Sequence, residues 1–290
     1  MDHVIEERPA SRQATRDTSI GRILLEQGKI TPEDAERVLR AQKELGMRFG
    51  EAAKHLGLVT ESDIQQVLSQ QFAYPYLLPG QGGFSNELVA AYNPFSPQVD
   101  TFRAVRSQLM LRWFGAGRKA LAIAAVHPGD GASYCAANLA VVFSQLGEKT
   151  LLVDANLRAG RQQALFNLNS RTGLSDVLGD RSDLDAIAPV AAFESLSVLG
   201  AGTPPPNPHE LISRPAFPAL TREVSAHFDV VLFDVPAFAS GPAALSVAAA
   251  VGGVLLVVRR NQTRWSEVAT ASQQIRSAGA ELVGTVLVDR

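Results

Sequence analysis

"LAIAAVHPGDGASYCAANLA", residues 121–140, decides how the rest of the chain is read. An apolar run empties into a glycine-rich turn, and a helical apolar stretch begins near Ser133. A strand that ends in such a turn and restarts as a helix gathers backbone N–H groups and the positive end of the helix at one point, which suits a phosphate. Gly129 and Gly131 give the turn its backbone freedom, Asp130 and Ser133 its polar side chains, and Tyr134 follows. Between Gly131 and Ser133, where a phosphate loop carries its lysine, stands Ala132.

Working outward, the runs at 150–155, 196–201, 230–235, 254–258 and 282–288 are continuously apolar, as strands covered on both faces are. Alternating with helical segments, they predict an α/β fold built on a doubly wound parallel sheet. Ligands of such sheets sit at the carboxyl ends of the strands, and there the sequence places Asp154, in "LLVDANLR", and Asp234, in "VVLFDVP". Ser133, Asp154 and Asp234 are the oxygen donors that Mg²⁺ takes beside a polyphosphate. The alternative is that these aspartates only cap helices and close turns.

Composition narrows the classes. The 290 residues are 46% hydrophobic and 19% charged, with a net charge of -2, so the chain lacks the positive excess that drives nucleic-acid binding. Cys135 is the single cysteine; it leaves no internal disulfide, fits a reducing cytoplasm, and falls among apolar helix residues as a core thiol does. Residues 1–18 carry no apolar run and read as a flexible tail without a secretory signal. Val235 to Val258 is uncharged and long enough to cross a bilayer, but Pro242 and Gly252-Gly253 divide it, so it reads as core.

Residues 19–78 hold a repeat. At an offset of 29, Gly21, Gly28, Thr31, Asp34, Val38, Leu39 and Gln42 recur as Gly50, Gly57, Thr60, Asp63, Val67, Leu68 and Gln71. Each copy reads as a short helix, a glycine stop and a second helix capped by Thr31 or Thr60. The glutamine that closes each apolar stripe is either a helix-end residue of a small bundle or a polar contact at the rim of a ligand groove. Residues 79–95, rich in glycine and proline, read as a linker, and 96–290 as the sheet domain.

Two families are resembled. The repeat is similar to the MshEN domain of type II secretion and pilus-assembly ATPases, whose paired motifs bind cyclic di-GMP; Gly21, Gly28, Leu39 and Gln42 match its first motif, Arg48, Gly50, Gly57, Leu68 and Gln71 its second. Ser19 and Ala35 depart from that pattern, and the resemblance implies either cyclic di-GMP or a docking protein as ligand. Residues 96–290, through "PGDGASYCAANLA", "LLVDANLR", "GTPPPNPHELI" and "FDVVLFDVP", resemble the bacterial tyrosine kinases of exopolysaccharide assembly, and with the leading module the EpsG type of chain-length-determinant kinase. By resemblance, Gly129 to Tyr134 with Ala132 form the nucleotide loop, Asp154 and Asp234 are the catalytic carboxylates, Ser133 joins them on Mg²⁺, and ATP or ADP is the nucleotide. The "DTFRAVR" helix, with Asp100, Arg103 and Arg106, is similar to the one that joins subunits into a homo-oligomer, against the plain alternative of a salt-bridged surface helix. The implied setting is cytoplasmic, at the inner face of the inner membrane, on a membrane-bound chain-length determinant.

Departures cluster at the chemistry. Ala132 replaces the lysine, Val126 a small residue, Tyr134 a threonine or serine, and Asn156 a second aspartate. A weak or inactive kinase that acts by nucleotide-dependent assembly is expected, Arg158 or Arg161 being the residues that could replace the lost charge. The alternative function is a cyclic di-GMP sensor on a structural P-loop scaffold; a partition ATPase of the MinD type is less consistent, since Val126 and His127 stand where its second lysine belongs. Tyr74, Tyr76, Tyr92 and Tyr134 all precede the second strand, so tail autophosphorylation is not expected.

Overall fold

Along Ala120–Ala125 (β1) successive side chains serve two cores: Leu121, Ile123 and Ala125 join one buried cluster, Ala120, Ala122 and Ala124 another. The same division holds in Thr150–Asp154 (β2) and Val230–Asp234 (β5), where Leu152 and Leu232 face one side and Leu151, Val231 and Phe233 the other. A strand with two buried faces has no place for a polar residue until its end, which is why these runs read as unbroken apolar sequence.

The computed structural model describes residues 20–61, 63–64, 66–67, 76–77 and 80–289; the expected tail, Leu68, Gln71 and Tyr74 lie outside them. The chain divides into two compact units, Met1–Pro75 and Tyr76–Arg290. In the larger, Ala188–Pro189 (β3), Leu196–Leu199 (β4), Gly253–Arg259 (β6) and Glu281–Val288 (β7) complete a sheet of order β3-β4-β2-β5-β1-β6-β7. All neighbours are parallel except β3, which pairs antiparallel with β4. The six expected strands are present, and β3, two residues long, adds an edge. The segment 235–258 is divided into a 3-10 turn, the helix Ala243–Val251 and β6, of which the helix buries one face and β6 lies in the core, while Ala239, Ser240, Pro242 and Ala249 are exposed; no described helix is long and apolar enough to cross a membrane.

Residues 80–95 correct the linker expectation. Leu88, Ala90 and Ala91 are fully buried, and the helix Val89–Tyr92 lies on the helix Ala132–Ser144. The fastening is Asn138: its Oδ1 accepts from the Ala90 N–H at 2.9 Å and its Nδ2 donates to the Glu87 carbonyl at 2.9 Å. Gln145 adds a bond to the Ala90 carbonyl at 3.0 Å. Glycine and proline set the turns here, but satisfied backbone groups and buried apolar side chains hold the segment down. Asn138→Leu strips these partners in a buried site and is expected to cost about 2–4 kcal/mol, read by urea unfolding, with faster proteolysis between Gly80 and Asn93.

In the smaller unit the two copies take the same form. Thr31 accepts from the Asp34 N–H while the Asp34 carboxylate accepts from the Thr31 N–H, and Thr60 with Asp63 repeats the exchange. Gly28 and Gly57, with φ of 66° and 68°, end the preceding helices in the left-handed conformation that glycine adopts without strain. Gly21 and Gly50 are there for room: a Cβ on Gly21 would stand 3.0 Å from the Phe49 ring, and one on Gly50 3.2 Å from Ile64. Lys29 and Asp63, 2.7 Å apart, join the copies.

Candidate functional site

The helix Ala132–Ser144 begins without a side-chain cap, Gly131 at its N-cap having φ of 98°. The amide groups of its first turn are therefore left for an outside acceptor. A Cβ on Gly129, at φ 89°, would meet nothing within 4 Å and one on Gly131 only Val288 at 3.8 Å, so their requirement is backbone geometry rather than crowding. Asp130 is not turned toward the cavity: its carboxylate accepts from the His127 N–H at 3.1 Å and the Thr263 hydroxyl at 3.2 Å, and only 4% of the residue is exposed. It braces the loop. The Tyr134 ring is buried edge-on to Phe102 with centroids 5.6 Å apart, so what this residue can offer the loop is its backbone. Val126 packs with Leu256, Val258 and Ala271. Cys135 is buried, as expected of a core thiol.

β2 and β5 are in register at their last residues, so Asp154 and Asp234 stand side by side at the carboxyl edge of the sheet. Both are wholly buried. Asp154 accepts from the N–H groups of Asn156 at 3.2 Å and Gln162 at 2.9 Å. Asp234 accepts the Gln162 side-chain amide at 2.7 Å through Oδ2, while its Oδ1 receives no hydrogen bond. Burial pushes both carboxyls up, Asp154 to about 6 against the opposing pull of its N–H donors, and Asp234 to about 8 with the Asp154 charge as the second cause.

Gln162 is the residue that sequence reasoning missed. Its amide donates to the Ser133 carbonyl at 3.1 Å as well as to Asp234, so one buried side chain ties the phosphate loop to the end of β5. Only its membership in a polar turn, "RAGRQQ", sets it apart in the sequence. Gly160 completes the fit, since a Cβ there would lie 2.5 Å from that of Ala201 and 2.9 Å from Asp154 Oδ2.

Beside these strand ends opens a cavity of 740 Å³ lined by the loop from His127 to Ser133, by Ala155 to Ala159, and by Val235, Pro208, His209, Ile212 and Pro242; Asp154 and Asp234 lie buried beneath their neighbours and do not line it. Arg158, Arg161 and Arg259 line it, with Asp130 the one acid among its lining residues. Pro208 opens a short helix, and Asn207 before it makes no side-chain capping bond. The "DTFRAVR" helix, Pro97–Arg112, bears an Asp100–Arg103 ion pair at 2.8 Å. Arg106 does not face outward with Arg103 alone: its Nη1 donates to the Val142 carbonyl at 2.7 Å, binding the helix to the one that carries the phosphate loop. In the smaller unit Leu39 is 48% exposed and Arg48 is exposed, whereas Gln42 is engaged. Tyr76 meets Phe95 edge-on, and the Tyr92 hydroxyl donates to the Gln81 carbonyl at 2.7 Å.

No protein-family model matches the chain. Among curated proteins, the tyrosine-protein kinase YwqD of Bacillus subtilis is 32% identical across 69% of this chain and 84% of its own length. A Klebsiella pneumoniae protein described as a tyrosine-protein kinase in the cps region is 29% identical across 92% of this chain, which spans only 35% of that protein's length. The solved kinase domain of the Escherichia coli tyrosine kinase ETK superposes with a TM-score of 0.67 at 30% identity, covering 70% of this chain and 80% of that one.

Proposed function

Because the chain belongs to the bacterial tyrosine-protein kinase family, we propose that it binds ATP or ADP with Mg²⁺ in the cavity over Asp154 and Asp234 and works in exopolysaccharide assembly through nucleotide-dependent association. The observation that supports this most directly is the convergence of an uncapped helix N-terminus, two buried acids and a cation-lined cavity at one edge of the sheet. The acids suit Mg²⁺: Asp234 Oδ1 is a buried carboxyl oxygen left without a hydrogen bond, and a divalent cation would stabilise the ionised form that burial and the Asp154 charge disfavour. Ser133, Asp154 and Asp234 would hold the ion, whose chemistry is to neutralise charge on the phosphates. First-turn amides would orient the phosphates, and Gln162 fixes the loop over Asp234.

Ala132 gives this site no preorganised cation at the transferring group, so phosphoryl transfer is slow or absent while binding persists on backbone and Mg²⁺. The remaining parts of the reading are a homo-oligomer formed in the cytoplasm and a membrane-bound chain-length determinant as partner. The test is calorimetric titration of the full chain with ATP and ADP, with and without Mg²⁺. Saturable binding that requires Mg²⁺ is expected; absence of binding to either nucleotide would overturn the proposal.

A further inference from the structure

A polyphosphate entering this cavity brings several negative charges, and the loop that should receive it carries no charged side chain of its own except Asp130. We infer that Arg158 supplies the missing cation, reaching the phosphates from the turn after β2 rather than from the loop; this rests on the nucleotide-binding reading above.

The other basic groups on the cavity wall are engaged. Arg161 Nη2 lies 2.6 Å from Glu87 Oε1. His127 Nε2 is 3.1 Å from Glu267, and His209 Nε2 is 3.3 Å from each of the Ser213 and Ser246 hydroxyls. Arg259 has a partner as well. Arg158 is exposed, lines the cavity, and makes no side-chain hydrogen bond or ion pair among the described residues.

Its mount is stiff although its side chain is free. The Ala159 N–H donates to the Asn156 carbonyl at 3.1 Å and to Asn156 Oδ1 at 3.3 Å, closing the turn around Leu157 and Arg158. Leu157 is 3% exposed and anchors the turn in the core, and Gly160 is wedged between Ala201 and Asp154. Asn156, at the position where an acid is expected by resemblance, thus holds the turn that presents the arginine. A guanidinium there engages two phosphate oxygens at once, which an ammonium does not. The side chain folds into the cavity when an anion arrives and otherwise stays in solvent, so it costs the empty protein no desolvation.

The experiment is calorimetric titration of the full chain with Mg-ATP for the wild type, Arg158→Ala, Arg158→Lys, Ala132→Lys and the Ala132→Lys/Arg158→Ala pair, with thermal melts as the check that each is folded. Arg158→Ala is expected to bind roughly tenfold to a hundredfold more weakly, and Arg158→Lys to retain part of the affinity. In the double variant, lysine at 132 should restore most of what Arg158→Ala loses, because both side chains answer the same charge. Binding by folded Arg158→Ala within twofold of wild type would overturn the assignment and leave the nucleotide site standing. A deficit in Arg158→Ala that lysine at 132 does not repair at all would also overturn it, marking Arg158 as a residue of the turn rather than of the phosphates. A wild type that binds no nucleotide would remove both this inference and the reading beneath it.

Discussion

Asp234→Asn is expected to stabilise the nucleotide-free protein and, at the same time, to weaken Mg-ATP binding by roughly tenfold to a hundredfold. Two wholly buried carboxyls stand at adjacent strand ends with one amide side chain between them and the loop. Without a cation the Asp154 charge disfavours that of Asp234, and burial disfavours both. Asparagine keeps an oxygen to accept from Gln162 and replaces the orphaned oxygen with a donor beside the Asp154 carboxylate. The gain is about 1–2 kcal/mol, or roughly 2–8 °C in melting temperature for a domain of this size. The sign in pH follows. Both folded-state pKa values are raised, to about 6 and about 8, so the folded protein binds more protons than the unfolded chain above pH ~4. The contribution is complete below that pH and is lost as pH rises through 6 and then 8. Melting of nucleotide-free wild type should therefore fall between pH 5 and pH 8.5, Mg-ATP should reverse the fall, and Asp234→Asn should flatten it. A variant less stable than wild type at pH 8, with Mg-ATP affinity intact, would show that the acids are structural.

How far this site is legible in sequence depends on where each residue finds its partners. Asp154 and Asp234 stand out because strands with two buried faces admit no polar residue before their ends, so an acid in that position is conspicuous in the string of letters. Their adjacency also follows from topology, β2 and β5 being parallel neighbours that end together. Gln162 is silent because its importance lies in bonds to Ser133 and Asp234, 29 and 72 residues away. The segment 80–95 misleads for a related reason: its glycines and prolines report local flexibility, whereas Asn138, on a helix far along the chain, decides that it is fixed. Arg106 looks like a group for a partner, yet it is taken by the neighbouring helix through the Val142 carbonyl, and the Tyr134 ring packs on Phe102. β3 has no pattern to recognise, since two residues, Ala188 and Pro189, become strand only by pairing with β4.

Ala132→Lys should raise phosphoryl transfer to tyrosine by roughly a hundredfold to a thousandfold, because a preorganised cation at the transferring phosphate is worth that much in the transition state. Affinity for Mg-ATP should rise far less, by under about tenfold, since Arg158, the helix amides and Mg²⁺ already meet the ground-state charge. The site has room for the new side chain: Ala132 is half-buried, lies at the cavity wall, and opens into 740 Å³ of free space. A lysine in the first turn opposes the helix dipole, at a cost of about 0.3–1 kcal/mol, small enough to leave the fold intact. Radiolabel transfer from ATP to protein tyrosine, followed in wild type and variant at equal nucleotide occupancy, separates rate from binding. A gain in rate without a matching gain in affinity would mean that Ser133, Asp154, Asp234 and Gln162 are poised for catalysis and that one side chain holds the reaction back. No gain in a variant that binds Mg-ATP would move the defect to Asn156, whose amide closes a turn where an acid would have to face the substrate hydroxyl.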